Sequence, residues 1–259
     1  MNHTYNLNWL DFDKTCDYSF NLSGIRIAFK ARETNRHLKG FDISIDSLKN
    51  KIVYEDGFHG PIQLIRTSWS CEYEDEAAIH VQGSIVAYVK VFHSEEFSAE
   101  QNKKIKNSTN LKNAILKLSD STACFGTEDR LQARSTSDIY QHTINNRLWF
   151  EAIDGYIHGT CHYNVFTLLS DELTLSVFFD MEGFWPNDKL PDPDHKKMVF
   201  ESALDFLSHF KIVMPEDVIN HPDLPPLGLH LPNHKEKEIN HDENHKEPTS
   251  PDANPDIGR

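Results

Sequence analysis

The chain has 259 residues, with 26 Lys and Arg against 40 Asp and Glu, for a net charge of −14. That balance disfavours a nucleic-acid binder, which needs cations to displace counterions from phosphate, and an anionic membrane surface. It suits a basic protein partner, or solubility alone.

In chain order, the opening MNHTYNLNWLDFDKTCDYSF lacks the basic and apolar regions of a signal peptide and carries Asp11, Asp13 and Asp17 instead. No later run approaches the ~18 apolar residues of a membrane helix. The expected location is therefore the cytoplasm. NLSGIRIAFKAR and GFDISID read as strands. IQLIRTSWSCEY alternates, with Ile65, Thr67, Trp69, Cys71 and Tyr73 on one face. AAIHVQGSIVAYVKVF alternates too, with Ile79, Val81, Ile85, Ala87, Val89 and Val91 in phase and a bulge or bend expected at Gly83. Between these two strands, CEYEDEAA sets Glu72, Glu74, Asp75 and Glu76 at a hairpin turn. Four acids on one turn can steer a basic partner, although a solvated turn has the same composition.

A helix follows. Ser98 and Gln101 make a capping box, KNSTN is a break, and NLKNAILKL continues with Leu111, Ile115 and Leu118 on one stripe. From Leu148 to Met181 the pattern is a three-stranded antiparallel meander, with Asp154-Gly155 and SDEL as its turns. MEGFWPNDKLPDPD is a long connection carrying Phe184 and Trp185. Aromatics in a proline-braced loop are typical interface anchors; folding back over the core is the alternative. Asp192 as N-cap and Pro193 at the first helical position begin a second helix. In it Val199, Ala203, Phe206 and Phe210 form an apolar stripe with Leu207 beside them.

Strands followed by a helix, twice over, predict an α+β fold of antiparallel sheet with two packed helices. It is either one domain over 1–214 or two similar lobes, 1–120 and 138–214. Eight of the twelve prolines lie from Pro215 onward, and residues 215–259 hold ten acids and four bases. This segment reads as an extended arm followed, after Leu231, by a disordered acidic Pro- and His-rich tail.

The meander and helix from Arg147 to Val213, ending in ALDFLSHFKI, resemble the end of a PsbP-like domain. That group includes secretion-effector chaperones and proteins that protect bacteria against interbacterial toxins. The resemblance covers about a quarter of the chain and implies a binding function; it carries over no catalytic residue.

Chemistry is harder to find. Cys161 and His162 in HGTCHYN are neighbours in a strand and so point to opposite faces. His158 and His162 would be ~13 Å apart there, too far for one ion. The outer face is then Tyr156, His158, Thr160, His162 and Asn164, with Ile157, Cys161, Tyr163 and Val165 inward. Acid pairs such as Asp180/Glu182 and Glu72/Glu74 are ordinary on solvated sheets, and histidines in a flexible tail lack the rigid support of a metal site. Cys16, Cys71, Cys124 and Cys161 have no zinc spacing and are expected as free thiols. Walker, dinucleotide-fingerprint and nucleophile-elbow motifs do not occur.

The expectation is a cytoplasmic protein-binding protein, not an enzyme, without cofactor or metal. Its first reading is an immunity protein that neutralises an interbacterial toxin, with Glu72, Glu74, Asp75, Glu76, Phe184 and Trp185 facing a partner of basic surface. A secretion-effector chaperone or adaptor is the nearest variant. An enzyme whose site is assembled from distant residues is the alternative from another class.

Overall fold

The computed structural model describes residues 5–6, 15–32, 41–44, 61–74, 79–93, 107–121, 130–156, 161–182, 193–217 and 224–230. Strands β2 (Thr15–Leu22) and β3 (Ile25–Arg32) form a hairpin. Its turn residues, Ser23 at φ 50° and Gly24 at φ 94°, are both left-handed, as a two-residue hairpin turn demands. NLSGIRIAFKAR, expected as one strand, is therefore two. Gly24 is fixed a second way, because Pro215 Cγ lies 3.1 Å from where a Cβ would sit. Onto this hairpin pack β4 (Asp42–Ile43), parallel to β2 and all that GFDISID contributes, then β12 (Lys211–Val213) against β3 and β13 (Gly228–His230) against β2. The two ends of the chain thus share a five-stranded sheet.

The second sheet has eight strands. Its order is β1 (Tyr5–Asn6), β5 (Ile62–Glu74), β6 (Ile79–His93), β11 (Leu173–Glu182), β10 (Cys161–Leu168) and β9 (Arg147–Tyr156). On the far edge of β9, β7 (Arg130–Gln132) and β8 (Tyr140–Ile144) lie end to end. β6 pairs with β11 from Ser84↔Glu182 to His93↔Leu173. The two stretches that look alike in sequence therefore join in one continuous sheet. The β5–β6 ladder slips between Cys71↔Gly83 and Glu72↔Val81, the bulge expected at Gly83.

The three-stranded meander is β9, β10 and β11, but Asp154-Gly155 is not its turn. Both residues lie inside β9, opposite His162 and Cys161 on one side and Gln132 and Leu131 on the other. Register parity explains this. A two-residue turn at 154–155 would set Trp149 on the same face as His162 and Asn164. The observed register, Ile153↔Tyr163 and Glu151↔Val165, sets it with Tyr163 and Val165, and all three are buried. A one-residue slip exchanges whole faces, so burial overrides the turn signal. The tight turn nearby is Asn145-Asn146, at φ 50° and 59°, between β8 and β9. The other expected turn holds: Ser170 Oγ accepts the N–H groups of Glu172 and Leu173.

Alternation decides the two faces. Ile85, Ala87, Val89 and Val91 of β6 and Leu173, Leu175, Val177, Phe179 and Met181 of β11 all point into one core. Helix α2 (Pro193–Ser208) lies on that face, with Pro193 as its first residue. Ala203, Phe206, Leu207 and, just past the helix, Phe210 are buried. Phe206 lies 6.0 Å from Phe179, 5.5 Å from Trp69 and 6.4 Å from Phe29 between ring centroids, so one side chain touches both sheets. Trp69 Nε1 donates to Ser202 Oγ at 3.1 Å, which satisfies a buried indole.

Helix α1 (Ser108–Ser121) covers part of the opposite face, with Leu111, Ala114 and Ile115 against Phe150, Ala152 and Phe166. It starts inside the expected break: Asn107 Oδ1 accepts the Asn110 N–H at 2.9 Å and caps the helix. The Ser98–Gln101 capping box lies outside the described residues. Cys16 is buried in the core. Among the described residues no helix is long and apolar enough to cross a membrane.

Past Pro215 the arm returns to the fold. Arg26 Nη2 donates to the Pro225 carbonyl at 2.6 Å, and β13 adds a strand beside β2. Residues 231–259, expected as a disordered tail, lie outside the described residues. Truncation after Pro232 is expected to leave the melting temperature within about 2 °C of the full chain. Truncation after Asp223 removes β13 and one of the two acceptors of Arg26, the Pro225 carbonyl, and should lower it by several times that. A large drop already at Pro232 would mean that the tail packs on the domain.

Candidate functional site

Antiparallel topology gathers strand ends that are far apart in sequence. β5 ends at Glu74 and β6 begins at Ile79, so the acid-bearing turn caps this hairpin. β11 ends at Glu182, opposite Ser84. The connection bearing Phe184 and Trp185 therefore departs from the same end of the sheet as that turn. The β9–β10 connection, between Tyr156 and Cys161, leaves from this end too, since Cys161 pairs with both Gly155 and Met181. The last residues of the hairpin, Ile79 to Gly83 on β6, reach ~16 Å past the final β11 pair at ~3.3 Å per residue. β1 covers the β5 edge at Glu72 and Tyr73. Asp75, Glu76, Phe184 and Trp185 lie outside the described residues, and for Glu72 and Glu74 the backbone is described.

Running toward this end is the part of the sheet face that α1 leaves open. Lys90 Nζ sits over the rings of Tyr88 and Phe178, at 5.2 and 4.8 Å, and Arg66 over Tyr88 at 5.6 Å. His162 packs on Phe178 at 4.9 Å, with its Nε2 3.5 Å from Asp180 Oδ1. Burial pushes the Lys90 ammonium below its usual range. His162 and Asn164 are half-buried on this outer face, while Tyr163 and Val165 are buried on the other, the alternation expected of HGTCHYN. Arg66, Tyr88, Lys90 and Phe178 are not singled out by the sequence. The available signal was their coincidence at every second position of strands that later pair side by side.

A second polar cluster lies at the edge of the core. Tyr163 OH donates to Glu151 Oε2 at 3.0 Å, and His142 Nε2 bonds the same oxygen. Three neighbouring strands, β8, β9 and β10, each supply one member. Burial, then the Glu151 charge and its hydrogen bond, hold the Tyr163 phenol far above the ordinary value near 10. The phenol stays neutral in the native state while its unfolded counterpart ionises near pH 10. Stability is therefore complete below that pH and falls as pH rises, by about 1.4 kcal/mol per pH unit. Urea unfolding from pH 8 to 11 should show this slope, and Tyr163→Phe should flatten it by about one proton. An unchanged slope would locate the alkaline instability elsewhere.

At the opposite end of the eight-stranded sheet lies a cleft of about 1030 Å³. It opens where β12 begins and β3 runs on past it, beside the Asn145-Asn146 turn. Its apolar lining is the half-buried Ile144, Ile212 and Leu224 over the buried Phe29, Trp149 and Phe210, and its polar lining includes Asp17, Lys30, His209, Lys211 and Asp217. Asn145 Nδ2 donates to the carbonyls of Ser208 and Phe210, at 2.6 and 3.0 Å, and so closes the C-terminus of α2. A smaller cleft of about 490 Å³ shares Asn145, Asn146, Arg147 and Asp217 with it. Sequence patterning gave no sign of either cleft, because their walls come from seven separate segments.

Among the described residues no group of three or more His, Cys, Asp or Glu is placed to hold a metal ion. Comparison of the chain with protein-family models, with curated proteins and with solved structures gives no match, so the likeness to PsbP-like domains rests on element order alone.

Proposed function

We propose that this chain is a cytoplasmic protein-binding protein that neutralises a toxin by direct contact, an immunity protein, and that its partner presents a basic surface. One observation carries the reading. The acid-bearing turn after Glu74 and the aromatic connection after Glu182 leave the eight-stranded sheet at the same end. Acids that steer and aromatics that anchor are the two components of a fast, tight interface, and this topology brings their attachment points together. The half-buried Tyr88 and Phe178 and the exposed Arg66 on the adjoining face are of the residue types enriched at interfaces. Arg66 and Lys90 put positive charge on that face, so the steering is expected to come from the hairpin tip.

The test is genetic and physical. The secreted protein encoded beside this gene is expressed alone and together with this chain. Growth arrest that the chain relieves, with a stoichiometric complex on size exclusion, is the expected result. A neighbour that binds without being toxic points to the chaperone or adaptor variant. A neighbour that neither binds nor harms the cell overturns the proposal.

A further inference from the structure

The cleft around Arg147 lies at the opposite end of the sheet from the proposed partner surface, and its chemistry differs. In a chain of net charge −14, this cleft is lined by Lys30, Arg147, Lys211 and His209 against Asp17 and Asp217. The sign of the molecule is inverted there. The volume, about 1030 Å³, is that of a small-molecule site, and an apolar side facing a few charged groups is the usual make-up of one.

Arg147 lines both this cleft and the smaller one, at their junction. The guanidinium is half-buried and donates to the Leu168 carbonyl at 2.6 Å and toward Met214 Sδ at 3.6 Å. Both acceptors are neutral, and among the described residues no carboxylate stands within ion-pair distance of it. Two bonds fix the orientation of a group that has five N–H donors and leave its charge uncompensated. Burial pulls its pKa below the usual value. A desolvated cation without a counter-charge is costly to the fold. A carboxylate or phosphate can supply that counter-charge through paired hydrogen bonds. The α2 C-terminus, which would repel an anion, is covered because Asn145 takes its last carbonyls.

We infer that the cleft binds a small organic anion, whose carboxylate or phosphate head rests on Arg147 and whose apolar body lies along the half-buried Ile144 and Ile212. Lys30 and Lys211 flank the head and supply attraction rather than geometry.

The test uses the full chain, with octanoate and phenyl phosphate as probes and inorganic phosphate as the head alone, followed by isothermal titration. Saturable one-to-one binding of octanoate or phenyl phosphate, stronger than that of inorganic phosphate, is expected. Arg147→Met should weaken it at least tenfold. The double variant Lys30→Ser/Lys211→Ser should weaken it about threefold and reduce its salt dependence. Which of the two probes binds more tightly distinguishes a carboxylate from a phosphate ligand. Because Arg147 also holds the Leu168 carbonyl, its variant can lose stability; the double variant then decides. Absence of saturation by either probe up to about 10 mM, or affinity unchanged in the folded variants, overturns the inference.

Discussion

Replacing Phe206 by Ala is expected to destabilise the protein by about 3–5 kcal/mol, the largest effect of any single truncation proposed for this chain. The ring is fully buried and stands between the two sheets, with Phe29 on one side and Trp69 and Phe179 on the other. It also meets Phe210 edge-on at 5.4 Å, which in turn stacks on Phe29 at 4.5 Å and approaches Trp149 at 6.0 Å. A helix backbone cannot move inward to fill the void without displacing Leu207 and Ala203, so little of the cavity closes. Since a domain of this kind holds a total of about 5–15 kcal/mol, the variant should be marginal at 37 °C. Urea unfolding at 25 °C gives the measurement. Lys197→Ala, on the outer side of the same helix, is the control. Lys197 is exposed and its pair with Glu201, at 3.8 Å, is a surface ion pair worth at most about 0.5 kcal/mol. A loss below about 1 kcal/mol at Phe206 would mean that α2 is not the element joining the sheets.

How much of this was legible in advance follows from which signals are local. The stripe of Ala203, Phe206 and Phe210 and the alternation from Ile85 to Val91 are short-period patterns, and each lies on the buried face it announced. The α+β class follows from them. The turns were half legible. SDEL was read correctly, while Asp154-Gly155 was misread because a two-residue motif carries no information about register parity, which burial of Trp149, Tyr163 and Val165 decides. Ser23-Gly24 and Asn145-Asn146 were legible and missed, since dipeptides able to adopt positive φ interrupt otherwise continuous strand patterns there. Pairing between remote segments was not legible at all. Nothing local says that β12 joins β3, that β13 joins β2, or that β6 and β11 are neighbours. The Arg147 cleft and the Lys90–Phe178 face exist only because of those pairings.

The same remote pairing underlies the second large effect. Trp185→Ala is expected to weaken partner binding by about 2 kcal/mol or more, roughly 30-fold, with the fold intact. The connection from Glu182 to Pro193 is too long and too aromatic for a simple turn between β11 and α2. Its first residues leave the sheet beside Ser84, next to the root of the projecting β5–β6 hairpin. A tryptophan offered there, in reach of the same partner as the hairpin tip, has the size and rigidity of an interface anchor. Reversal of Glu72, Glu74, Asp75 and Glu76 to Lys should act on a different quantity. Charges that steer a partner govern encounter more than residence, so the association rate should fall severalfold and lose its salt dependence, with dissociation little changed. Surface plasmon resonance at two salt concentrations separates the two effects, and circular dichroism melts of each variant check the fold. If Trp185→Ala unfolds the protein while charge reversal leaves association untouched, Trp185 belongs to the core and the partner binds elsewhere.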